Sequence, residues 1–280
     1  MSDVGDGAPD AALLGGASVR PVRPRRFSRP PRGLPLRAIA PNAVTALALC
    51  SGLSGVRFAI SGEWEKAVAM IMVAGVLDGI DGRIARLLRG ESRFGAELDS
   101  LSDAISFGVA PALILYLWTL SALPRVGWIS ALLLAVFCAL RLARFNAQID
   151  ETVQPHKSAG FLTGVPAPAG AGLALLPMFL WFWTDEPLLA SPYLVAPWAV
   201  FVAVLMVSSV ATFSWSSLRL RRSIRFEALA VIVLLGAALI NVPWHTLSVI
   251  AILYLATIPF SIAAYARVRR PRAVGGSGPE

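Results

Sequence analysis

Four aspartates dominate the polar residues of one short stretch in an otherwise apolar chain. The stretch at 78–103 reads DGIDGRIARLLRGESRFGAELDSLSD, and its aspartates are Asp78, Asp81, Asp99 and Asp103. Carboxylate oxygens are the hard ligands that Mg²⁺, Mn²⁺ and Ca²⁺ prefer, and no cluster of cysteine or histidine lies nearby in the sequence to favour zinc. The residue types therefore predict a divalent-metal site with these four aspartates as ligands.

Helical geometry would let the four carboxylates face one another. At roughly 100° per residue, Asp78 and Asp81 fall within about 100° of arc on one helix, and Asp99 and Asp103 do the same on the next. Two antiparallel helices with a short turn could then direct the two pairs at each other. Because buried carboxylates repel one another, such a cluster requires positive charge among them.

Glycines and arginines occupy the same stretch. Gly79, Gly82 and Gly95 remove side chains where helices, or a bulky ligand, approach closely. Four arginines at positions 83–93 add cations suited to phosphate groups. For Arg89 and Arg93, a role in orienting the chain in a membrane is favoured over a role as ligands, whereas Arg86 is favoured as a ligand. A single aspartate at a helix end is commonly a cap or a surface charge, so the prediction depends on the whole set.

Composition indicates a membrane protein. Of the 280 residues, 56% are hydrophobic and 15% are charged, and the mean hydropathy is +0.67. We predict an all-α, polytopic membrane helix bundle of about eight transmembrane helices. The predicted segments lie at about 38–60, 64–88, 96–120, 126–147, 165–184, 191–214, 225–241 and 245–267.

Three regions follow from the same pattern. Residues 1–36 are rich in Gly, Pro, Ala and Arg and are predicted to be a disordered basic arm, residues 37–268 an integral membrane domain, and residues 269–280 a basic flexible tail. Most lysines and arginines lie in the arm, the tail and alternate connections, so the positive-inside rule places both termini and the aspartates on the cytoplasmic side of the cell membrane. The basic arms suit anionic membrane lipids, and no nucleic-acid partner is predicted.

The spacing of the stretch resembles the signature of a known family. Asp78-x-x-Asp81-Gly82-x-x-Ala85-Arg86, eight residues, then Gly95-x-x-x-Asp99-x-x-x-Asp103 is similar to the motif of the CDP-alcohol phosphotransferases. The resemblance implies a six-helix catalytic core, a CDP-linked substrate, two divalent ions such as Mg²⁺ or Mn²⁺, and transfer to a hydroxyl acceptor with release of CMP. It also implies a homodimer.

The resemblance assigns roles to individual residues. All four aspartates are implied as metal ligands, and Asp103 also as the general base. The residues implied to line the nucleotide are Gly82, Ala85, Arg86 and Gly95, joined by Asn42 and Thr45 on the first helix. A helix N-cap would explain Asn42 and Thr45 nearly as well.

Segments at 40–52, 100–112, 144–148 and 161–171 resemble one branch of that family, the phosphatidylserine synthases. This implies CDP-diacylglycerol as donor and L-serine as acceptor. We predict Arg144, Asn146 and Lys157 as acceptor-binding residues, because the carboxylate of serine needs a cation.

Two other functions stay open at this point. The same family includes enzymes with other acceptors, such as inositol phosphate or glycerol 3-phosphate. A cation transporter also places carboxylates among membrane helices, but it would be expected to carry them on several distant helices along a path. Here, the later segments from 191 to 267 contain one acidic residue, Glu227.

Overall fold

The structure, a computed structural model, describes residues 36–88, 90, 92–149, 161–208, 211–213 and 225–274. These residues form ten α-helices, interrupted by short π- and 3-10-helical turns and two strands of three residues. The α-helices are α1 Leu36–Ile60, α2 Trp64–Leu88, α3 Arg93–Asp103, α4 Ala110–Trp118, α5 Val126–Ile149, α6 Ala167–Ala174, α7 Leu176–Thr184, α8 Pro192–Val207, α9 Arg225–Asn241 and α10 Pro243–Val274. The strands, β1 Phe161–Thr163 and β2 Ala211–Phe213, pair antiparallel. The prediction of an all-α bundle is confirmed.

Most predicted apolar segments coincide with one helix or with consecutive helices, but in the sixth, at 191–214, helix α8 ends at Val207 and strand β2 lies near the end of the segment. The third segment is divided into α3, a π-helical turn at Ala104–Val109 and α4. The fifth is divided into α6 and α7, which meet at an angle of 42°. Pro177 follows the first residue of α7 and cannot donate a backbone hydrogen bond, which accounts for the break between them.

The chain is an integral membrane protein with several apolar helices. Among the described residues, four helical stretches are long and apolar enough to cross a membrane, and a fifth is added if α6 and α7 form one bent span. The four are Ile39–Ile60, Arg93–Trp118, Val126–Ala147 and Pro243–Phe260. The predicted count of eight is not confirmed. Carboxylates and arginines lower the hydropathy of α2, and α8 and the described apolar part of α9 are short.

Helix α1 lies at the centre of the part of the bundle that carries the aspartates. It packs along α2 and also contacts α3, the π-helical turn and α4. Helix α5 packs against α8 and the same turn, and α10 contacts α7. Side chains such as Ile71, Phe107 and Leu134 are fully buried between these helices. Large apolar side chains cover the outer faces, as a bundle surrounded by lipid requires.

Aromatic rings collect at one end of the bundle. The ring centroids of Trp118, at the end of α4, and Trp181, on α7, are 5.5 Å apart. Those of Phe182 and of Trp244, at the start of α10, are 4.5 Å apart. Asp99 lies near the opposite end of the α3–α4 stretch. Tryptophan is enriched where membrane helices meet water, so this aromatic end is consistent with one membrane surface.

Helix α1 approaches the π-helical turn most closely at Gly52. A Cβ atom at Gly52 would lie 2.8 Å from Ser106 Cα, closer than real side chains allow. The hydroxyl of Ser106 also donates a hydrogen bond to the carbonyl of Ala48, at 3.3 Å. The contact between these two elements therefore requires glycine at position 52.

We predict that Gly52→Ala destabilises the protein, because the added methyl group must push the Ser106 backbone away. Overpacking of this kind costs about 1–3 kcal/mol. Gly172→Ala is the matched control: it also lies within a helix, but a Cβ at Gly172 would have no atom within 4 Å. Thermal unfolding in detergent should show a lower midpoint for Gly52→Ala and an unchanged or higher one for Gly172→Ala. Equal midpoints would contradict the prediction.

Candidate functional site

Three of the four aspartates form a carboxylate cluster, consisting of Asp78 on α2 with Asp99 and Asp103 on α3. One carboxylate oxygen of each lies within 4.8 Å of those of the other two. All three side chains are half-buried. The structure thus brings together three of the predicted metal ligands from two helices.

Asp81, the fourth predicted ligand, makes a different contact. Its side chain is 4% exposed, and its Oδ2 accepts a hydrogen bond from Thr45 Oγ1 on α1 at 2.6 Å. The charge of Asp81 is also close enough to interact with Asp78 and Asp99. Asp81 therefore joins α2 to α1 beside the carboxylate cluster and adds to the negative charge there.

Buried hydroxyl groups set the rotation of α3 against α1. Ser102 Oγ donates to the carbonyl of Thr45 at 3.3 Å, and Ser106 Oγ donates to the carbonyl of Ala48. Ser102 and Asp103 are neighbours in the chain, so the contact that holds the serine also directs the adjacent aspartate. The carboxylate cluster is in this way positioned by polar contacts between helices.

A π-helical turn, Ala104–Val109, follows Asp103 directly. Sequence analysis missed it, because hydropathy predicts one unbroken helix across 96–120 and an apolar π-turn has the same hydropathy as an α-turn. Such turns widen the helix locally and occur frequently at functional sites. Residues on its two sides no longer follow one 3.6-residue period, so the orientation of Asp103 is separated from that of α4.

The carboxylate cluster fits a hard divalent cation. The Oδ1 atom of Asp103 is buried and has no hydrogen-bond partner among the described residues. Oxygens on opposite sides of one Mg²⁺ or Ca²⁺ ion are about 4–5 Å apart, which is similar to the span of the cluster. A cation would also offset the repulsion between the carboxylates.

A cavity of about 270 Å³ opens beside the cluster. Five of the six residues predicted to bind nucleotide line it, together with Asp81 and Asp99. These five are Asn42, Thr45, Gly82, Ala85 and Gly95. The cavity thus connects the predicted nucleotide residues to the aspartates.

The two motif glycines of the cavity have different surroundings. No atom of the described residues lies within 4 Å of a Cβ built on Gly82, so this position leaves open space for a ligand. A Cβ on Gly95 would lie 2.8 Å from Asn42 Oδ1, so glycine there permits α1 and α3 to approach. Arg86, the sixth predicted residue, is exposed outside the lining, and its Nε donates to the carbonyl of Gly82 at 3.0 Å.

The predicted acceptor residues do not form one group among the described residues. Arg144 is exposed, and its Nη1 donates to the carbonyl of Val207 at the end of α8, at 3.4 Å. Asn146 Nδ2 donates to Ser100 Oγ on α3 at 2.9 Å. Lys157 lies outside the described residues. Asn146 is therefore the acceptor candidate with a direct contact to the helix of Asp99 and Asp103.

Sequence analysis assigned no role to Arg141, although this residue falls within the predicted segment 126–147. The residue lies inside α5, and its Nε is buried and has no hydrogen-bond partner within the described ranges. Its charge interacts with that of Asp103. An arginine within an apolar helical segment is the signal that could have identified it.

Comparison with known proteins identifies similar chains. The family model described as CDP-alcohol phosphatidyltransferase matches residues 38–215, and a second, CDP-alcohol phosphatidyltransferase 2, matches residues 224–259. The first match covers the aspartates, the cavity and helices α1–α8.

Relatives named CDP-diacylglycerol--serine O-phosphatidyltransferase are similar over most of the chain. The Mycobacterium tuberculosis H37Rv protein is 40% identical over 82% of this chain and 80% of its own length. The Mycobacterium leprae protein is 40% identical over 80% of this chain and 74% of its own length. A Helicobacter pylori relative with the same name is 39% identical over 50% of this chain and 57% of its own length.

We predict that Asp99→Asn weakens Mn²⁺ binding by about tenfold or more, because the substitution removes one anionic ligand from the carboxylate cluster. Electron paramagnetic resonance of Mn²⁺ titrated into the purified protein measures this directly. Glu97→Gln is the matched control, since Glu97 is an exposed carboxylate on the same helix. Identical binding by the two variants would argue against a metal site in the cluster.

Proposed function

The chain belongs to the CDP-alcohol phosphatidyltransferase family, and from this premise we propose that it transfers the phosphatidyl group of CDP-diacylglycerol to the hydroxyl of L-serine. The products are phosphatidylserine and CMP. The observation that carries the proposal is the carboxylate cluster beside a cavity lined by the family motif.

The cavity is the proposed nucleotide site. Gly82 leaves room for the bound group, while Asn42 and Thr45 offer polar side chains from α1. Ala85 and Gly95 line the same space, and the exposed Arg86 lies beside it with its guanidinium available to phosphate oxygens. The cytidine and its phosphates would thus lie next to Asp81 and Asp99.

The aspartates are the proposed metal ligands. Asp78, Asp99 and Asp103 would hold a divalent cation, Mg²⁺ or Mn²⁺, with Asp81 near enough to help hold a second ion. When bound, the metal supplies positive charge that stabilises the pyrophosphate and the departing CMP. The protein residues would bind the nucleotide, orient the two substrates and deprotonate the acceptor hydroxyl.

Asp103 is the proposed general base. Its Oδ1, which is buried and has no hydrogen-bond partner in the described part of the chain, is available to accept the proton of the acceptor hydroxyl. As the proton moves to Asp103, the hydroxyl oxygen forms a bond to the phosphorus of the phosphatidyl group, and the bond from that phosphorus to CMP breaks. The contact between Ser102 and Thr45 holds the adjacent Asp103 in orientation for this transfer.

The choice of serine is supported by the similar relatives, each named as a serine phosphatidyltransferase. The proposed contributors to the acceptor site remain Arg144, Asn146 and Lys157.

We propose from the distribution of basic residues that both termini and the site lie on the cytoplasmic side of the membrane. This orientation would let soluble serine reach a lipid-anchored donor. A homodimer and the limits of the membrane domain at 37–268 are likewise predictions.

We predict that the purified protein releases CMP from CDP-diacylglycerol only with both a divalent cation and L-serine present. The measurement compares serine, inositol 1-phosphate, glycerol 3-phosphate and no acceptor, each with and without chelator. Turnover with one of the other acceptors would reassign the acceptor within the family. No turnover with any acceptor, together with dissipation of a cation gradient in vesicles, would favour the transporter function.

We predict that Asp103→Asn lowers kcat by at least about 100-fold, since an amide cannot accept the hydroxyl proton. The Kd for CDP should change much less, because the nucleotide cavity lies on the side of Asp81 and Asp99. Glu97→Gln again serves as the control for loss of a carboxylate on α3. A kcat for Asp103→Asn close to that of the unmodified enzyme would eliminate Asp103 as the base.

A further inference from the structure

An arginine inside α5 lies close to the carboxylate cluster. Arg141 belongs to the apolar span Val126–Ala147, and its side chain is half-buried. Its Nε atom is buried and donates to no hydrogen-bonding group of the described chain. A charged residue within a membrane helix is costly, and such residues usually face a functional cavity.

The packing of α5 against the π-helical turn places Arg141 at the level of Asp103. A Cβ on Gly108 would lie 2.9 Å from Cys138 Cβ, so the two elements are in close contact there. From this contact, Arg141 lies three residues along α5, and Asp103 lies five residues back along the other helix. The π-helical turn and α5 belong to consecutive spans that run in opposite directions, so a step forward along α5 and a step back along α3 lead the same way. Arg141 and Asp103 therefore both lie on the same side of the Gly108–Cys138 contact, roughly 5–8 Å from it along the helix axes.

Arg141 and Asp103 interact electrostatically but do not touch. In the described part of the chain, only Lys66 and Glu63 form an ion pair within 4.0 Å. Asp103 Oδ1 and Arg141 Nε are both buried and both lack a hydrogen-bond partner in that same part of the chain. A small polar molecule with a hydroxyl group at one end and an anionic group at the other would satisfy both atoms.

We propose that Arg141 binds the carboxylate of an amino-acid acceptor whose hydroxyl group lies at Asp103. A guanidinium group forms paired hydrogen bonds to a carboxylate, with a geometry that a lysine ammonium lacks. The inference rests on the proposed function and assigns the acceptor cation to α5. It differs from the sequence-based choice of Arg144, whose side chain is exposed and donates to the carbonyl of Val207.

Helix α10 contributes to the surroundings of Arg141. Tyr254 on α10 is close enough to interact electrostatically with the guanidinium group, as is Cys138 one turn earlier on α5. Arg141 therefore lies near Asp103 on α3, Cys138 on its own helix and Tyr254 on α10.

The test uses an acceptor that lacks the carboxylate. The full-length enzyme is assayed for CMP release with L-serine and with L-serinamide, in which a neutral amide replaces the charged group. For the unmodified enzyme, kcat/KM should be about 100-fold lower with serinamide than with serine. Arg141→Ala should lower kcat/KM for serine by a similar factor and change the value for serinamide less than about threefold, because both changes remove the same contact.

Added guanidinium should restore part of the activity of Arg141→Ala with serine. The control variant is Arg125→Ala, which removes an exposed arginine just before α5 and should behave as the unmodified enzyme. The inference would be overturned if Arg141→Ala lost kcat/KM equally for serine and serinamide and guanidinium did not restore it. It would also be overturned if Arg141→Ala kept an unchanged kcat/KM for serine. If the unmodified enzyme used another acceptor and ignored serine, the proposed function itself would fail, and Arg141→Ala would not be the cause.

Discussion

Repulsion among carboxylates enclosed by apolar helices is the constraint on which the rest of this structure depends. At an effective dielectric constant of about 20, two charges about 5 Å apart repel by about 3 kcal/mol. Three such pairs among Asp78, Asp99 and Asp103 would total about 10 kcal/mol, which is comparable to the whole stability of a typical domain. The cluster is therefore compatible with a stable fold only if protons or cations offset its charge, and the proposed divalent cation would do so while leaving the carboxylates ionised.

The surrounding helices hold the cluster together by short-range contacts. Thr45 on α1 donates to Asp81, and the carbonyl groups of α1 accept hydrogen bonds from Ser102 and Ser106. Gly52 lets α1 and the π-helical turn approach closely enough for the bond from Ser106 to form. The apolar outer surface keeps this polar site at a membrane, where the acyl chains of the proposed donor would remain in lipid while its nucleotide entered the cavity.

Much of the fold could be predicted because hydropathy is a local property of the chain. The apolar segments near 38–60, 64–88 and 126–147 correspond closely to α1, α2 and α5. The number of membrane spans could not be predicted from hydropathy in the same way. In α2, functional charges reduce the apolar character of the helix. Helices α6 and α7 meet at a bend, so the number of helices differs from the number of spans.

The spacing of the aspartates and glycines by itself determined the chemistry to expect, since residue type and helical period are both written in the chain. It also predicted that all four aspartates would share one site, and three of them, Asp78, Asp99 and Asp103, lie together in the structure. Only the tertiary structure separated Asp81 from that cluster, introduced the π-helical turn after Asp103 and brought Arg141 close to it. These features depend on the rotation and depth of one helix against another. Such quantities are set by contacts between residues far apart in sequence, such as Gly108 with Cys138, and leave no local pattern.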